Sequence, residues 1–206
     1  MIQSLDIYRG GQVPPHLDFV DVRRLIDACL EIPKWQKHGI SEQWQKHGTG
    51  ERNQLFIETL WQTGARVGEV LGIRPGNLDA RRVAIYVQIL KRKTPLWHWV
   101  RVEPELITRL MAYTLHEGIA EGRQIFNFTP RMARLIVKEA ASQAKLPSWV
   151  HPHTLRHSHA MFLRRSGVHA FVMQEALGHA SLTSTLVYGR ASEEDTAFEK
   201  SKLRWS

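Results

Sequence analysis

The chain has 206 residues, 43% of them hydrophobic, enough to bury a core without disulfides or a structural metal. Lys and Arg outnumber Asp and Glu 28 to 20, and the net charge of +8 points to a polyanionic partner, nucleic acid first and an anionic membrane surface second. Cys29 is the one cysteine and the lead MIQSLDIYRGGQVPPH has no signal-peptide apolar run; no stretch approaches the ~18 apolar residues of a membrane span, so a soluble, cytoplasmic protein is expected.

Residues 18–31 place Phe19, Val22, Leu25, Ile26 and Cys29 at three- and four-residue intervals, which predicts an amphipathic helix with Cys29 in the core. The pentapeptide WQKHG follows at 35–39 and again at 44–48, too short an echo for a solenoid repeat and read as a basic surface loop or helical hairpin. Residues 51–63 predict a largely buried helix stopped by Gly64, and 67–73 a second one ended by the Pro75-Gly76 turn. The loop Gly64-Ala65-Arg66 therefore joins two helices.

The period then changes. ARRVAIYVQILKRK and HWVRV are rich in β-branched and aromatic residues and flank Thr94-Pro95, predicting a small antiparallel sheet over about 82–102. Helical periodicity returns at 104–117, at 130–145 behind Thr129 as N-cap and Pro130 at the first helical position, and at 153–166, 169–178 and 183–191. The expected fold class is mainly α with one small antiparallel β-sheet (α+β). With no Ser- or Pro-rich linker, the chain divides into a lead (1–17), one folded unit (18–190) and a tail (191–206).

The segment HPHTLRHSHAMFLRRSG concentrates His153, Arg156, His157 and His159 at a helix start, where residues three or four apart share a face. Three readings stand side by side: a phosphate site, a structural histidine cluster, and a metal site. Arg156 argues against the metal because a guanidinium repels a cation, whereas its fork matches two phosphate oxygens and imidazoles donate hydrogen bonds or move protons. Further on, Gly178-His179 closes a helix and Tyr188 follows nine residues after that histidine.

Taken together, Ala-Arg-x-Gly-Glu-x-Leu at 65–71, Pro-His-x-Leu-Arg-His at 152–157, Leu-Gly-His at 177–179 and Tyr188 make four ordered blocks. In this the chain resembles the tyrosine recombinases, also called the λ-integrase family. The resemblance implies that Arg66 and Arg156 clamp a scissile DNA phosphate, that His153 and His179 assist by hydrogen bonding or proton transfer, and that Tyr188 is the nucleophile, forming a 3′-phosphotyrosine. Glu69 matches the family's supporting acidic residue, and His157 lies in the same block. A lysine on a β-hairpin turn serves the family as general acid; Lys91 and Lys93 both lie there, and Lys93 is the closer match.

Such chemistry suits these residue types. Two fixed guanidinium forks can neutralise the charge that builds on the non-bridging oxygens, so neither cofactor nor metal is expected. A tyrosine hydroxyl, with a pKa near ~10 in water, needs cations nearby to favour its phenolate. The expected activity is site-specific recombination of double-stranded DNA (integration, excision, inversion or resolution), with self-association as a tetramer on DNA. The rivals are a type IB topoisomerase-like relaxing enzyme, a DNA-binding accessory protein of the same fold, and a metal-dependent nuclease.

Most family members carry a helical DNA-binding domain ahead of the catalytic one, whereas about fifty residues precede the Arg66 helices here. A minimal form, similar in size to the fimbrial phase-variation invertases, is the expectation. The tail ASEEDTAFEKSKLRWS spaces Ala197, Phe198, Leu203 and Trp205 along one edge of a short helix, for docking on a neighbouring subunit or on its own domain.

Overall fold

A computed structural model describes residues 15–31, 49–90 and 96–178. Its elements run α1 (Phe19–Glu31), α2 (Thr49–Thr63), α3 (Val67–Leu71), a 3-10 turn (Pro75–Asn77), β1 (Leu78–Asp79), β2 (Ala84–Ile89), β3 (Leu96–Arg101), α4 (Pro104–His116), α5 (Pro130–Gln143), α6 (Pro152–Arg165) and α7 (Ala170–Ala176). The α+β expectation is met. The WQKHG echo, the lysine turn, the helix expected at 183–191 and the tail all lie outside the described residues.

Helix α2 is the centre of the molecule. Leu55, Phe56, Ile57 and Leu60 are all fully buried, so the helix is apolar most of the way round and must be covered on several sides. Helices α1, α4 and α6 supply that cover, and the edge of Phe56 meets Phe126 at 5.4 Å and Phe128 at 5.3 Å between ring centroids. The polar side of α2 is tied to α4 by Arg109, whose guanidinium donates to Glu58 Oε2 at 2.6 Å and also to Gln54. Cys29 is buried as expected, and desolvation pushes its thiol up to about 12.

Three predictions of detail are corrected. Phe19 belongs to the apolar stripe by spacing, yet it is 53% exposed and stacks on Phe162 of α6 instead of entering the core. Helix α3 stops at Leu71 rather than running to residue 73, because Gly72 closes its last turn by donating to Glu69 O. The sheet has a third, two-residue strand: β1 pairs antiparallel with β2, and β2 with β3, in the order β1-β2-β3. Asp79 makes the β1–β2 turn by accepting from the backbone N–H groups of Arg81 and Arg82, both at 2.9 Å.

Alternation decides the two faces of the sheet. Ile85, Val87, Ile89 and Val100 point inward and are buried. On the outer face Tyr86 sits between Trp97 and Trp99, with ring centroids 5.1 and 4.6 Å away, and the Arg82 guanidinium covers Trp99 at 4.7 Å. These cross-strand contacts stiffen the paired strands β2 and β3.

Because Phe56 has no solvent-facing edge and touches two other rings, Phe56→Ala opens a cavity that rigid neighbours cannot fill. Urea unfolding is expected to show a loss of about 3–5 kcal/mol, and a loss below about 1 kcal/mol would contradict this picture of α2 as the core element.

Candidate active site

The Gly64-Ala65-Arg66 loop joins α2 to α3, and Gly64 makes the bend possible. Its φ of +60° lies in the left-handed region, and a Cβ there would stand 2.5 Å from Cδ2 of His159. The residue is thus glycine for two independent reasons. Its carbonyl accepts from Nη1 of Arg156 at 2.7 Å, while Nη2 donates to the carbonyl of Leu177 at 2.5 Å. Arg156, on α6 and only 5% exposed, therefore bridges the end of α2 to the end of α7.

Arg66 stands next to this bridge as the N-cap of α3. Glu69 occupies the third position of that short helix and is almost fully buried. Its Oε2 accepts from the Arg66 backbone N–H at 2.7 Å, its Oε1 from the Arg66 guanidinium at 2.9 Å, and Oε1 also from the Leu90 N–H at 3.2 Å. Leu90 directly follows β2 and precedes residues 91–95. One carboxylate therefore fixes both the guanidinium of Arg66 and the base of the hairpin that carries Lys91 and Lys93.

Helix α6 opens with Pro152 at its first position, one residue earlier than periodicity suggests, behind His151 as N-cap. Nδ1 of His151 accepts from the Thr154 N–H at 3.1 Å, which puts the proton of the neutral ring on Nε2. His153 is exposed on the first turn, its ring 6.1 Å from that of His151, where the positive end of the helix dipole adds to any anion site. His157, one turn further, is half-buried. Burial first, then His153, Arg156, His151 and His16, push it down to about 4. His159 is 8% exposed and packs its ring against Trp61 at 5.8 Å; burial and then Arg156 lower it to about 4 as well.

Of the residues predicted from sequence, Arg66, Glu69, Arg156, His153 and His157 are described, and α3 and α6 bring them to the two sides of the Gly64 loop. Lys91, Lys93, His179 and Tyr188 lie outside the described residues. The main-chain acceptors at Gly64 and Leu177 escaped sequence reasoning, because a carbonyl leaves no residue-type signature. The left-handed glycines beside them, Gly64 and Gly178, were the one available hint. Among the described residues, no helix is long and apolar enough to cross a membrane.

The sequence profile of the phage integrase family matches residues 17–195. The chain belongs to that family. It is 31% identical over 154 residues to the tyrosine recombinase XerC of Listeria innocua, covering 69% of this chain and 51% of that protein. The fold is similar to the XerH site-specific recombinase bound to its difH substrate in a pre-cleavage complex (TM-score 0.72, 21% identity, 95% of this chain and 55% of that one). It is also similar to the Tn1549 transposon integrase in complex with a circular intermediate DNA (TM-score 0.60, 19% identity, 84% and 67%). The chain thus spans about half the length of the curated relative it matches.

Two consequences can be measured. Gly64 and Gly118 share a left-handed φ, but a Cβ on Gly118 meets nothing within 4 Å. Gly118→Ala is expected to lose only the strain of about 1–2 kcal/mol, and Gly64→Ala clearly more, since it must also displace His159; equal losses in thermal unfolding would refute the crowding. The buried histidines set a pH dependence. His157 and His159 have an ordinary value of 6.5 and about 4 in the fold, so the unfolded chain binds more protons between those limits. Their contribution is complete above about pH 6.5 and is lost as pH falls towards 4, on the order of 1.4 kcal/mol per pH unit for the deeply buried His159. Urea midpoints at pH 7.5, 6 and 5 should fall in that order, and the fall should shrink in His159→Phe.

Proposed function

We propose that the chain is the catalytic portion of a site-specific tyrosine recombinase that cleaves and rejoins double-stranded DNA through a covalent 3′-phosphotyrosine. The observation that carries this reading is the buried Arg156 bridge beside the Glu69-held Arg66. Arg66 is presented from the N-cap of α3 and Arg156 from the second turn of α6, in the chain order the family uses. The net charge of +8 suits a DNA partner, and the structurally similar transposon integrase was solved with DNA.

In this reading Arg66 and Arg156 bind the non-bridging oxygens of the scissile phosphate and stabilise the charge that grows there in the transition state. The Tyr188 oxygen attacks phosphorus, the phosphorus–5′ oxygen bond breaks, and Lys93 gives its proton to the departing 5′ oxygen; Lys91 is its neighbour on the same turn. His153, at the positive end of α6, and His179 hydrogen-bond the phosphate or relay the tyrosine's proton. His157 stays neutral and supports the arginine rather than adding charge. One phosphodiester is exchanged for another ester of similar energy, so a second 5′ hydroxyl can reverse the step without ATP. The unit at 18–190 does this chemistry, and the tail at 191–206 assists self-association into a tetramer on DNA. Work on DNA in this manner suits a cytoplasmic protein.

The test is covalent trapping on nicked duplexes built from inverted repeats beside the gene. A protein–DNA adduct is expected from wild type with EDTA present, none from Tyr188→Phe, and a drop on the order of 100-fold or more from Arg156→Lys, whose ammonium lacks the fork. Failure to form any Tyr188-dependent adduct would end this reading. Relaxation of any supercoiled plasmid by the monomer would replace it with topoisomerase activity.

A further inference from the structure

His98 interrupts the pattern of the sheet. It sits on β3 directly opposite the buried Val87, on the inward face that otherwise presents Ile85, Val87, Ile89 and Val100. A strand of this kind calls for a β-branched apolar residue there. The imidazole is half-buried, and among the described residues it has no hydrogen-bond partner. Its ring nitrogens are not among the buried, unpartnered atoms of the described residues, so they stay open to solvent or to a ligand.

The surroundings say what the position faces. The next inward residue on β2, Ile89, lies so close to the end of α7 that a Cβ on Gly178 would stand 2.7 Å from its Cδ1. Leu177, the adjacent residue, is the carbonyl that holds Arg156. Leu90, following Ile89, gives its N–H to Glu69, which holds Arg66. His98 is therefore one register step from Ile89, which adjoins the anchors of both guanidinium groups. The charged groups that act on it come from three elements packed against this end of the sheet: Glu69 on α3, Glu175 on α7 and Arg156 on α6.

We infer that His98 is an additional phosphate contact of the active site, donating a hydrogen bond from a protonated imidazole to the DNA phosphodiester held by Arg66 and Arg156. This rests on the proposed recombinase reading. In the free protein burial outweighs the two carboxylates and, with Arg156 also opposing the proton, holds the ring below its ordinary value. A bound phosphodiester adds a negative charge on the same side of the balance as Glu69 and Glu175, so binding raises the affinity for the proton. His98 is neutral before DNA arrives and charged once the phosphate is in place, so it adds its positive charge when the anion is there to receive it.

Two measurements test this, both on the full chain. Single-turnover adduct formation on nicked duplex is followed from pH 5.5 to 8.5 for wild type, His98→Leu and His98→Gln. At pH 6 His98→Leu is expected to be slower by about tenfold or more, the effect of one hydrogen bond to a charged group; His98→Gln, which keeps a donor without the charge, falls between. The ratio to wild type shrinks towards one as pH rises, because the imidazolium is lost. In parallel, the His98 ring is titrated by NMR in wild type with and without duplex, and its midpoint is expected to rise on binding. A ratio that stays constant with pH, or a midpoint that does not move when duplex binds, overturns the inference, and the NMR arm decides even where a variant fails to fold. If wild type forms no adduct, the recombinase reading fails instead, while a normal adduct with an unshifted His98 removes this inference alone.

Discussion

The site is organised around the crowded bend at Gly64. Three demands meet there: a left-handed turn between α2 and α3, a ring of α6 pressed against the missing side chain, and a carbonyl aimed at the Arg156 guanidinium. The bend is rigid because α2 behind it is buried and apolar, and because His159 in front of it is wedged against Trp61. Every other feature of the site takes its position from that point. Arg66 follows two residues later, Arg156 reaches it from α6, and α7 is drawn in by the second hydrogen bond of the same guanidinium.

The two guanidinium groups are held differently, and the difference has an electrostatic meaning. Arg66 is paired with a carboxylate, which fixes its direction but cancels part of its charge. Arg156 is held by two carbonyl oxygens, whose dipoles orient it while leaving its full unit of charge. A buried cation is costly unless polar groups such as these carbonyls satisfy its N–H donors. Here the positive field falls beside the start of α6, where the helix dipole adds to it. The neutral state of His157 and His159 limits the accumulated repulsion, since the Arg156 charge opposes a proton on either ring.

Much of this was legible in the sequence, for physical reasons. The helix over 130–143 was marked by Thr129 and Pro130 because capping geometry admits few residue types, and Thr129 Oγ1 does accept from the Met132 N–H. Helix α2 and its stop were legible because an apolar run ending in glycine has few alternatives. Glu69 was named only through the resemblance, as a supporting acidic residue, and its pairing with Arg66 came from the structure. Phe19 misled because periodicity reports which residues share a face, not how far that face extends under its neighbours. The short strand at Leu78–Asp79 left no alternation to detect, and His98 was hidden by lying in a strand whose character is set by the tryptophans around it. What a pattern cannot carry is a main-chain acceptor from a distant element.

The second carbonyl on Arg156 belongs to Leu177, while the first belongs to Gly64, more than a hundred residues earlier in the chain. During synthesis at roughly 5–20 residues per second, the segment carrying Arg66 leaves the ribosome well before Leu177 is added. Until α7 docks, the guanidinium of Arg156 lacks the Leu177 carbonyl. A half-made chain can thus contain both arginines and most of the described core while the Leu177 end of the Arg156 bridge is still missing. Chain order therefore sets the order of assembly: the segment that carries Gly64 and Arg66 waits for α7 before the Arg156 bridge can close.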